Sequence, residues 1–376
     1  MNFGLTPEQE ELQRSARRFL QAEWPPAAAH AVFAANHDGY PRELYGRMAQ
    51  LGWMGVLAPR EASGLGGSFL DAALLTEELG RAAVAGPYLA NTLAVWALRQ
   101  VGSGVAKHWL PLLASGQSIG TFAWFEGDSQ TWPVALQTRL TLGRFGIRVH
   151  GVKRFVLDAH VADAMLVVGL VVSAGRRSTA VVVVPGSQQG IKIRTMDDVD
   201  RTRRIHEVEF DGVTVPRRSL IALGTSADRL LARVYDAAAV LLAADSLGGA
   251  QKLLEMTVEY AKVRQQFGRP IGSFQAIKHR CAEMVAQIEP ARSLVWYAAH
   301  AIDALPRQAA CAASLAKGHL SEVYVSVAES ALRVHGGIGF TWEHDLHIWF
   351  KRAQWNRYAF GSPERHRERV AQELRW

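Results

Sequence analysis

Two places in this 376-residue sequence combine residue types and spacings that point to chemistry. The first is Tyr260-Ala-Lys-Val-Arg264-Gln-Gln266-Phe267-Gly268-Arg-Pro270-Ile271-Gly-Ser273-Phe274-Gln275-Ala-Ile-Lys278. A long helical pattern ends there, the chain turns through Gly268 and Pro270, and a second helix starts behind Ser273. An arginine fork, an aromatic ring and amides on a turn between two helices suit a ligand with both a pyrophosphate and a flat base. The same residues also suit a simpler role, because an arginine at a helix C-terminus caps the dipole and Phe267 can serve as core. The second place is Asp245. Val234, Ala238, Leu241 and Leu242 make an apolar stripe at helical spacing, and Asp245 is its next member. A carboxylate on such a face must be paired, hydrogen-bonded or shifted in pKa. Asp236 is also acidic but falls on a more polar face.

The first segment closely resembles the signature of the acyl-CoA dehydrogenase family of flavoproteins. Leu332-Arg333-Val-His335-Gly336-Gly337-Ile-Gly339-Phe340-Thr-Trp342-Glu343-His344 resembles that family's other C-terminal signature, in the same order and at about the same spacing. The opening Leu5-Thr-Pro-Glu-Gln-Glu-Glu-Leu12, the Leu65-Gly66-Gly67 turn before Glu77-Glu78-Leu79-Gly80, and Phe210-Asp211-Gly-Val-Thr-Val215-Pro216 match as well, so the resemblance covers essentially the whole chain. It implies dehydrogenation of an acyl-CoA thioester between its α and β carbons. A carboxylate takes the α-proton, the β-hydride goes to FAD, and hydrogen bonds to the thioester oxygen stabilise the enolate-like charge. It also implies FAD between a β domain and a C-terminal bundle, with the adenine end held by a neighbouring subunit. The positions it assigns to the cofactor are Arg264, Gln266, Phe267, Ile271, Phe274, Arg333, Gly336, Gly337, Phe155 and Ser362. Gly336 and Gly337 match a turn where backbone approaches the cofactor closely, although a helix C-cap also calls for glycine.

Several positions depart from the family pattern. Arg333 stands where most members have glutamine. The β-domain motif that wraps the flavin is matched only loosely by Trp124-Phe125-Glu126-Gly127-Asp128-Ser129. Lys153-Arg154-Phe155-Val156-Leu157 keeps an aromatic ring as Phe155 but has Leu157 in place of a hydroxyl residue. The catalytic glutamate is missing from both of its usual positions, which are Phe360 and Ala238 here. Asp245 is the remaining candidate base, or else a satisfied buried residue holding a neighbouring helix. These losses resemble the degenerate subunits of bacterial heterotetrameric acyl-CoA dehydrogenases of the steroid-degrading type, in which one kind of subunit in an α2β2 assembly carries the base. The leading expectation is therefore an FAD-binding subunit working with a homologous partner subunit. The alternatives are a self-sufficient homotetramer using Asp245 and a non-catalytic acyl-CoA-binding or assembly protein. An electron-transfer flavoprotein is the oxidant the resemblance implies.

The elements that must position these residues follow an α+β multidomain order. Residues 1–118 read as an N-terminal helical domain, with Leu12, Ala16, Phe19 and Leu20 on one face. Residues 119–225 switch to short β-prone runs at Thr121–Trp124, Ile147–Val149, Met165–Val168, Ala180–Val184 and Glu207–Phe210, a small barrel-like domain with Val181–Val184 central. Residues 226–376 read as a C-terminal four-helix bundle opened by a capping box at Thr225–Asp228, with Pro290 kinking the second helix. This is the acyl-CoA dehydrogenase fold that the resemblance implies. Hydrophobic content of 49% with 20% charged residues marks a globular chain. The net charge of +7 is scattered, which argues against nucleic acid and suits anionic small molecules. Cys281 and Cys311 read as buried thiols of a reducing cytoplasm, with no metal-ligand spacing. No membrane span or signal peptide is expected.

Overall fold

The computed structural model describes residues 4–34, 40–102, 104–128, 130–133, 135–144, 146–173 and 175–376. Ser129, from the loosely matched β-domain motif, lies outside them. Helices come first: α1 (Pro7–Glu23), α2 (Pro26–Ala34), α3 (Arg42–Gln50), α4 (Phe69–Arg81), α5 (Tyr88–Arg99) and α6 (Gly104–Ala114). Thr6 starts α1 with a reciprocal cap. Its Oγ1 accepts from the Gln9 N–H at 3.3 Å, and the Gln9 side chain accepts from the Thr6 N–H at 3.1 Å. Strands follow as β1 (Gly120–Ala123), β2 (Arg139–Leu142), β3 (Ile147–Leu157), β4 (Ala164–Ser173), β5 (Arg176–Pro185), β6 (Ile191–Thr195), β7 (Ile205–Val215) and β8 (Leu220–Leu223). Then come α7 (Thr225–Val263), a hairpin of β9 (Gln265–Gln266) and β10 (Arg269–Pro270), α8 (Gln275–Ala304), α9 (Ala309–His335), α10 (Leu346–Tyr358) and α11 (Pro363–Leu374).

By contacts the chain forms two compact units. One comprises 1–35, 69–84 and 239–376, the other 36–68 and 85–238. In the second, the strands run β6-β7-β3-β2-β4-β5-β8, with β1 pairing in parallel with β4. Val181–Val184 sits inside the sheet on β5, between β4 and β8, and is buried throughout. The expected β-prone runs fall on β1, β3, β4, β5 and β7. The three strands without a sequence signal are short, and β6 is mostly exposed with alternating charges, so burial leaves no pattern on it.

Helix α7, which begins in the second unit and continues into the first, starts one residue earlier than the capping box would have it. Thr225 is already helical, and Ser226 Oγ instead bonds Leu223, donating to its carbonyl (2.8 Å) and accepting from its N–H (3.1 Å). The helix α8 continues through Pro290, and α11 is a further helix beyond the four expected. Arg365, Arg367 and Arg369 give α11 a basic run, in which Arg365 pairs with Glu368 and Arg367 with Glu322 and Glu364. Cys281 and Cys311, expected to be buried, are half-exposed, and partial burial pushes both thiols up. Among the described residues no helix is long and apolar enough to cross a membrane.

The helices α4 and α7 touch backbone to backbone, because glycine lets them. A Cβ on Gly248 would lie 1.8 Å from the Glu77 carbonyl oxygen, and one on Gly80 would lie 2.2 Å from that of Asp245. Ion pairs to two buried glutamates fix the same helix laterally: Arg292 on α8 reaches Glu77 at 2.5 Å and the half-exposed Arg17 on α1 reaches Glu78 at 2.7 Å. Because backbone cannot yield as a flexible side chain would, Gly248→Ala is expected to destabilise the protein by about 3 kcal/mol, the upper end for overpacking. Urea denaturation checks this, and a midpoint equal to the parent's refutes the close approach.

Candidate active site

The hairpin at the end of α7 is a two-residue turn. Gln266 pairs with Arg269 and Gln265 with Pro270, leaving Phe267 (φ 53°) and Gly268 (φ 76°) as the central residues. Both need positive φ, which glycine adopts freely and which costs a β-carbon residue about 1–2 kcal/mol. Phe267 is also 91% exposed, so neither backbone preference nor burial accounts for it. Its ring meets the edge of Phe274, and Arg269 lies over Phe274 at 4.2 Å. Gln266 is exposed, and Ile271 is half-buried with its N–H on the Arg264 carbonyl at 2.8 Å. The Arg264 side chain is exposed and meets no carboxylate among the described residues. An uncompensated guanidinium beside a bare aromatic face fits an anionic, planar ligand.

The second signature meets the first through Tyr260. Its ring stacks on His335 at 4.4 Å, and its hydroxyl donates to the His335 carbonyl at 3.4 Å. There α9 ends at Gly336, whose φ of 64° and ψ of −143° are open to glycine alone. It is therefore a helix C-cap, and it is also open: a Cβ on Gly336 or Gly337 would meet nothing within 4 Å. Arg333 is exposed and pairs with Glu329, one turn back, at 3.3 Å.

Asp245 lies in a closed network in the helical unit. It is 2% exposed. Arg352 on α10 donates from Nε to Oδ1 (3.0 Å) and from Nη2 to Oδ2 (2.5 Å), and Asn356 Nδ2 adds a third bond to Oδ1 (2.7 Å). A carboxylate held by a bidentate guanidinium is stabilised in its charged form and has its lone pairs engaged, which suits structure and not proton transfer. Asp236, expected on a polar face, is also buried.

Phe360 occupies the loop between α10 and α11 and is buried, in a left-handed conformation (φ 54°). The loop is held by polar groups behind it. His366 Nε2 bonds the Phe360 carbonyl at 2.9 Å, and the buried Lys317 Nζ donates to the carbonyls of Asn356 (2.8 Å) and Gly361 (3.2 Å) and to Ser321 Oγ (2.9 Å). Burial without a counter-ion pushes Lys317 down to about 7. Burial and the neighbouring Lys317 charge push His366 down to about 3, so it is neutral. Ser362 caps α11, its Oγ accepting from the Arg365 N–H at 3.4 Å.

In the sheet unit, Ala238 is fully buried and Leu157 is buried, its carbonyl accepting from Thr121 Oγ1 at 2.6 Å. Phe155 stands on a bulge of β3: Lys153 opposes Val208 and Val156 opposes His206, so Arg154 and Phe155 together face Glu207 alone. Its φ is 56° and its ring is half-exposed. Three phenylalanines assigned by resemblance to a cofactor or base position, Phe155, Phe267 and Phe360, thus share a left-handed backbone. Strain of this kind gathers at functional sites.

Comparison with known proteins accords with this geometry. Residues 6–117 match the acyl-CoA dehydrogenase N-terminal domain and residues 231–375 the acyl-CoA dehydrogenase C-terminal domain. The acyl-CoA dehydrogenase IpdE2 of Mycobacterium tuberculosis is 33% identical over 98% of each chain. The chain belongs to the acyl-CoA dehydrogenase family. Among solved members, the ChsE4-ChsE5 complex from Mycobacterium tuberculosis superposes with a TM-score of 0.89 at 26% identity, covering 100% of this chain and 99% of that one. A variant of the Tcur3481-Tcur3483 steroid ACAD superposes at 0.85 and 26%, covering 98% of both chains.

Sequence reasoning missed the residues that hold Asp245 and the Phe360 loop from behind. Arg352 and Asn356 are polar residues one helical turn apart in a stretch that also holds Ile348, Trp349 and Ala353, and Lys317 and Ser321 repeat that spacing in an alanine-rich helix. Polar pairs at i and i+4 inside apolar patterns were the available signal. Their role gives a prediction for Asp245→Asn. The amide leaves the Arg352 guanidinium buried without its counter-charge, so stability is expected to fall by about 3–5 kcal/mol. Denaturation of the purified variant measures it, and unchanged stability with complete loss of turnover per folded oligomer would instead make Asp245 the base.

Proposed function

We propose that this chain is an FAD-binding acyl-CoA dehydrogenase subunit that lacks its own catalytic carboxylate and works beside a homologous subunit in an α2β2 assembly. The observation that carries this reading is the state of the three candidate positions. Phe360 and Ala238 have no proton-accepting side chain, and both oxygens of Asp245 are engaged by Arg352. The ChsE4-ChsE5 complex, a similar structure made of two different chains, supports the heteromeric form. The steroid ACAD among the neighbours supports a bulky, steroid-derived acyl-CoA as substrate class. The self-sufficient homotetramer has no observation in its favour, since it needs Asp245 as a free base.

On this reading Arg264 forks onto the cofactor's phosphates and Phe267 offers its face to the adenine of the adjacent subunit's FAD. Gly336 and Gly337 admit backbone close to the pyrophosphate, and Phe155 lies against the flavin. The bound FAD supplies the hydride acceptor. The proton is taken by a carboxylate of the partner subunit, and an electron-transfer flavoprotein is the oxidant. The half-buried free thiols suit a reducing cytoplasm.

The visible spectrum tests the reading directly. Purified alone the protein is expected to be colourless or weakly yellow, and purified with its homologous partner it carries flavin. Full flavin content and turnover from the isolated chain would restore the self-sufficient enzyme, and no flavin in either case would leave an assembly protein. Within the flavin-bearing complex, Arg264→Ala is expected to weaken FAD retention at least about tenfold, the loss of roughly one charge-assisted fork. Dialysis followed by flavin absorbance reads this. Unchanged FAD per assembly removes the role given to the hairpin.

A further inference from the structure

The sheet unit contains a buried ion pair that none of the foregoing uses. Lys153 is 0% exposed, and its Nζ donates to Glu126 Oε1 at 2.5 Å and to the Trp124 carbonyl at 3.0 Å. Glu126 also accepts from the backbone N–H groups of Gln137 (2.6 Å) and Thr138 (3.1 Å), so its oxygens are fully occupied. We infer that the Lys153–Glu126 pair is a positioning device: it locks the loop 124–128 to the bulge of β3 and so sets where the Phe155 ring stands. This rests on the reading that FAD lies against Phe155.

The geometry ties two segments at consecutive residues. Lys153 grips the loop at Trp124 and Glu126. The next residue, Arg154, donates its N–H to the Phe125 carbonyl at 2.9 Å and its guanidinium to the Gly127 carbonyl at 3.1 Å and to the Asp128 carboxylate. Phe155 follows at once, with Arg154 over its ring at 5.5 Å. The bulge disrupts the ladder to β7 here, so pairing within the sheet cannot fix this ring. Asp128 is almost fully exposed, which makes the Arg154 pair weak, whereas the Lys153 pair is shielded from water. A buried pair is also a poor means of gaining stability, since apolar side chains of the same size serve as well or better. Its value lies in direction: an ammonium with a carboxylate and a carbonyl as acceptors permits one arrangement of loop and bulge, which packing alone would not select.

The consequence is that stability and cofactor geometry separate. Lys153→Met alone strands the Glu126 charge and is expected to lower the melting temperature. Lys153→Met with Glu126→Gln removes both charges, keeps one acceptor oxygen at the Oε2 position that Gln137 (2.6 Å) and Thr138 (3.4 Å) both reach, and is expected to recover part of that loss. In the complex with the partner subunit, the double variant is nevertheless expected to bind FAD about tenfold or more weakly and to show an altered visible circular dichroism of the bound flavin. Recovery of melting temperature together with parental FAD affinity and parental dichroism overturns the inference. Glu126→Gln alone is the milder change and gives the same flavin readouts if the double variant does not fold. A parent complex that holds no flavin refutes the cofactor reading itself and the clamp's role with it. A flavin-bearing parent with an unaffected variant refutes the clamp alone.

Discussion

The pairing of Asp245 with Arg352 is the constraint on which the helical unit depends. Two charges removed from water cost several kcal/mol each, and only a full set of partners offsets that cost. Here the carboxylate's partners include two guanidinium bonds and the Asn356 amide. The arrangement extends past the pair. Asn356 Nδ2 also donates to Ser246 Oγ at 3.0 Å, its carbonyl accepts from Lys317, and Lys317 in turn holds Gly361. A single polar chain thus leads from α7 through α10 and α9 to the loop that carries Phe360. Each bond fixes the next, because in a low-dielectric interior a lost partner leaves a costly orphan.

The outward-facing positions show the opposite economy. Phe267 is exposed and strained, Gly336 and Gly337 open onto free space, and Phe340 is 73% exposed just beyond them. The Phe267 ring has an edge contact with Phe274 while its backbone costs energy, so local preference and local environment disagree there. Such disagreement is expected at functional or strained sites. The two signature segments meet at Tyr260 and His335, whose stacked rings join the end of α7 to the end of α9. Rigid support behind and an unsatisfied surface in front is the arrangement that a binding site needs.

What the sequence revealed follows the same division. Periodicity and turn chemistry exposed the order of helices, strands and helices, because burial of one face writes itself into the residue pattern. The buried strand Val181–Val184 was legible for that reason, whereas β6, with its charged and solvent-facing residues, was not. Asp245 was legible as an anomaly on an apolar stripe, but its partner was not, since Arg352 lies more than a hundred residues away and sequence gives no distance between them. Asp236 shows the limit of reading one helix in isolation: a face that looks polar along the chain is covered by other elements once folded. The Phe155 bulge was hidden too, because one extra residue in a strand changes no composition, only which side chains share a face.

The loop at Phe360 keeps its shape independently of the side chain it carries. Its conformation is set by main-chain carbonyls: Phe360 bonded to His366, and Asn356 and Gly361 bonded to Lys317. None of these bonds involves the side chain at 360. The left-handed backbone there is imposed by the groups behind the loop, so a phenylalanine tolerates it where a carboxylate could stand. Chemistry and architecture at this position are therefore independent. On the proposed reading, an apolar ring at 360 removes the acid-base step while these main-chain bonds, and with them α10 and α11, stay in place. That independence is what the proposed heteromer requires: a chain without its own base that keeps the loop, and the helices on either side of it, in the same shape.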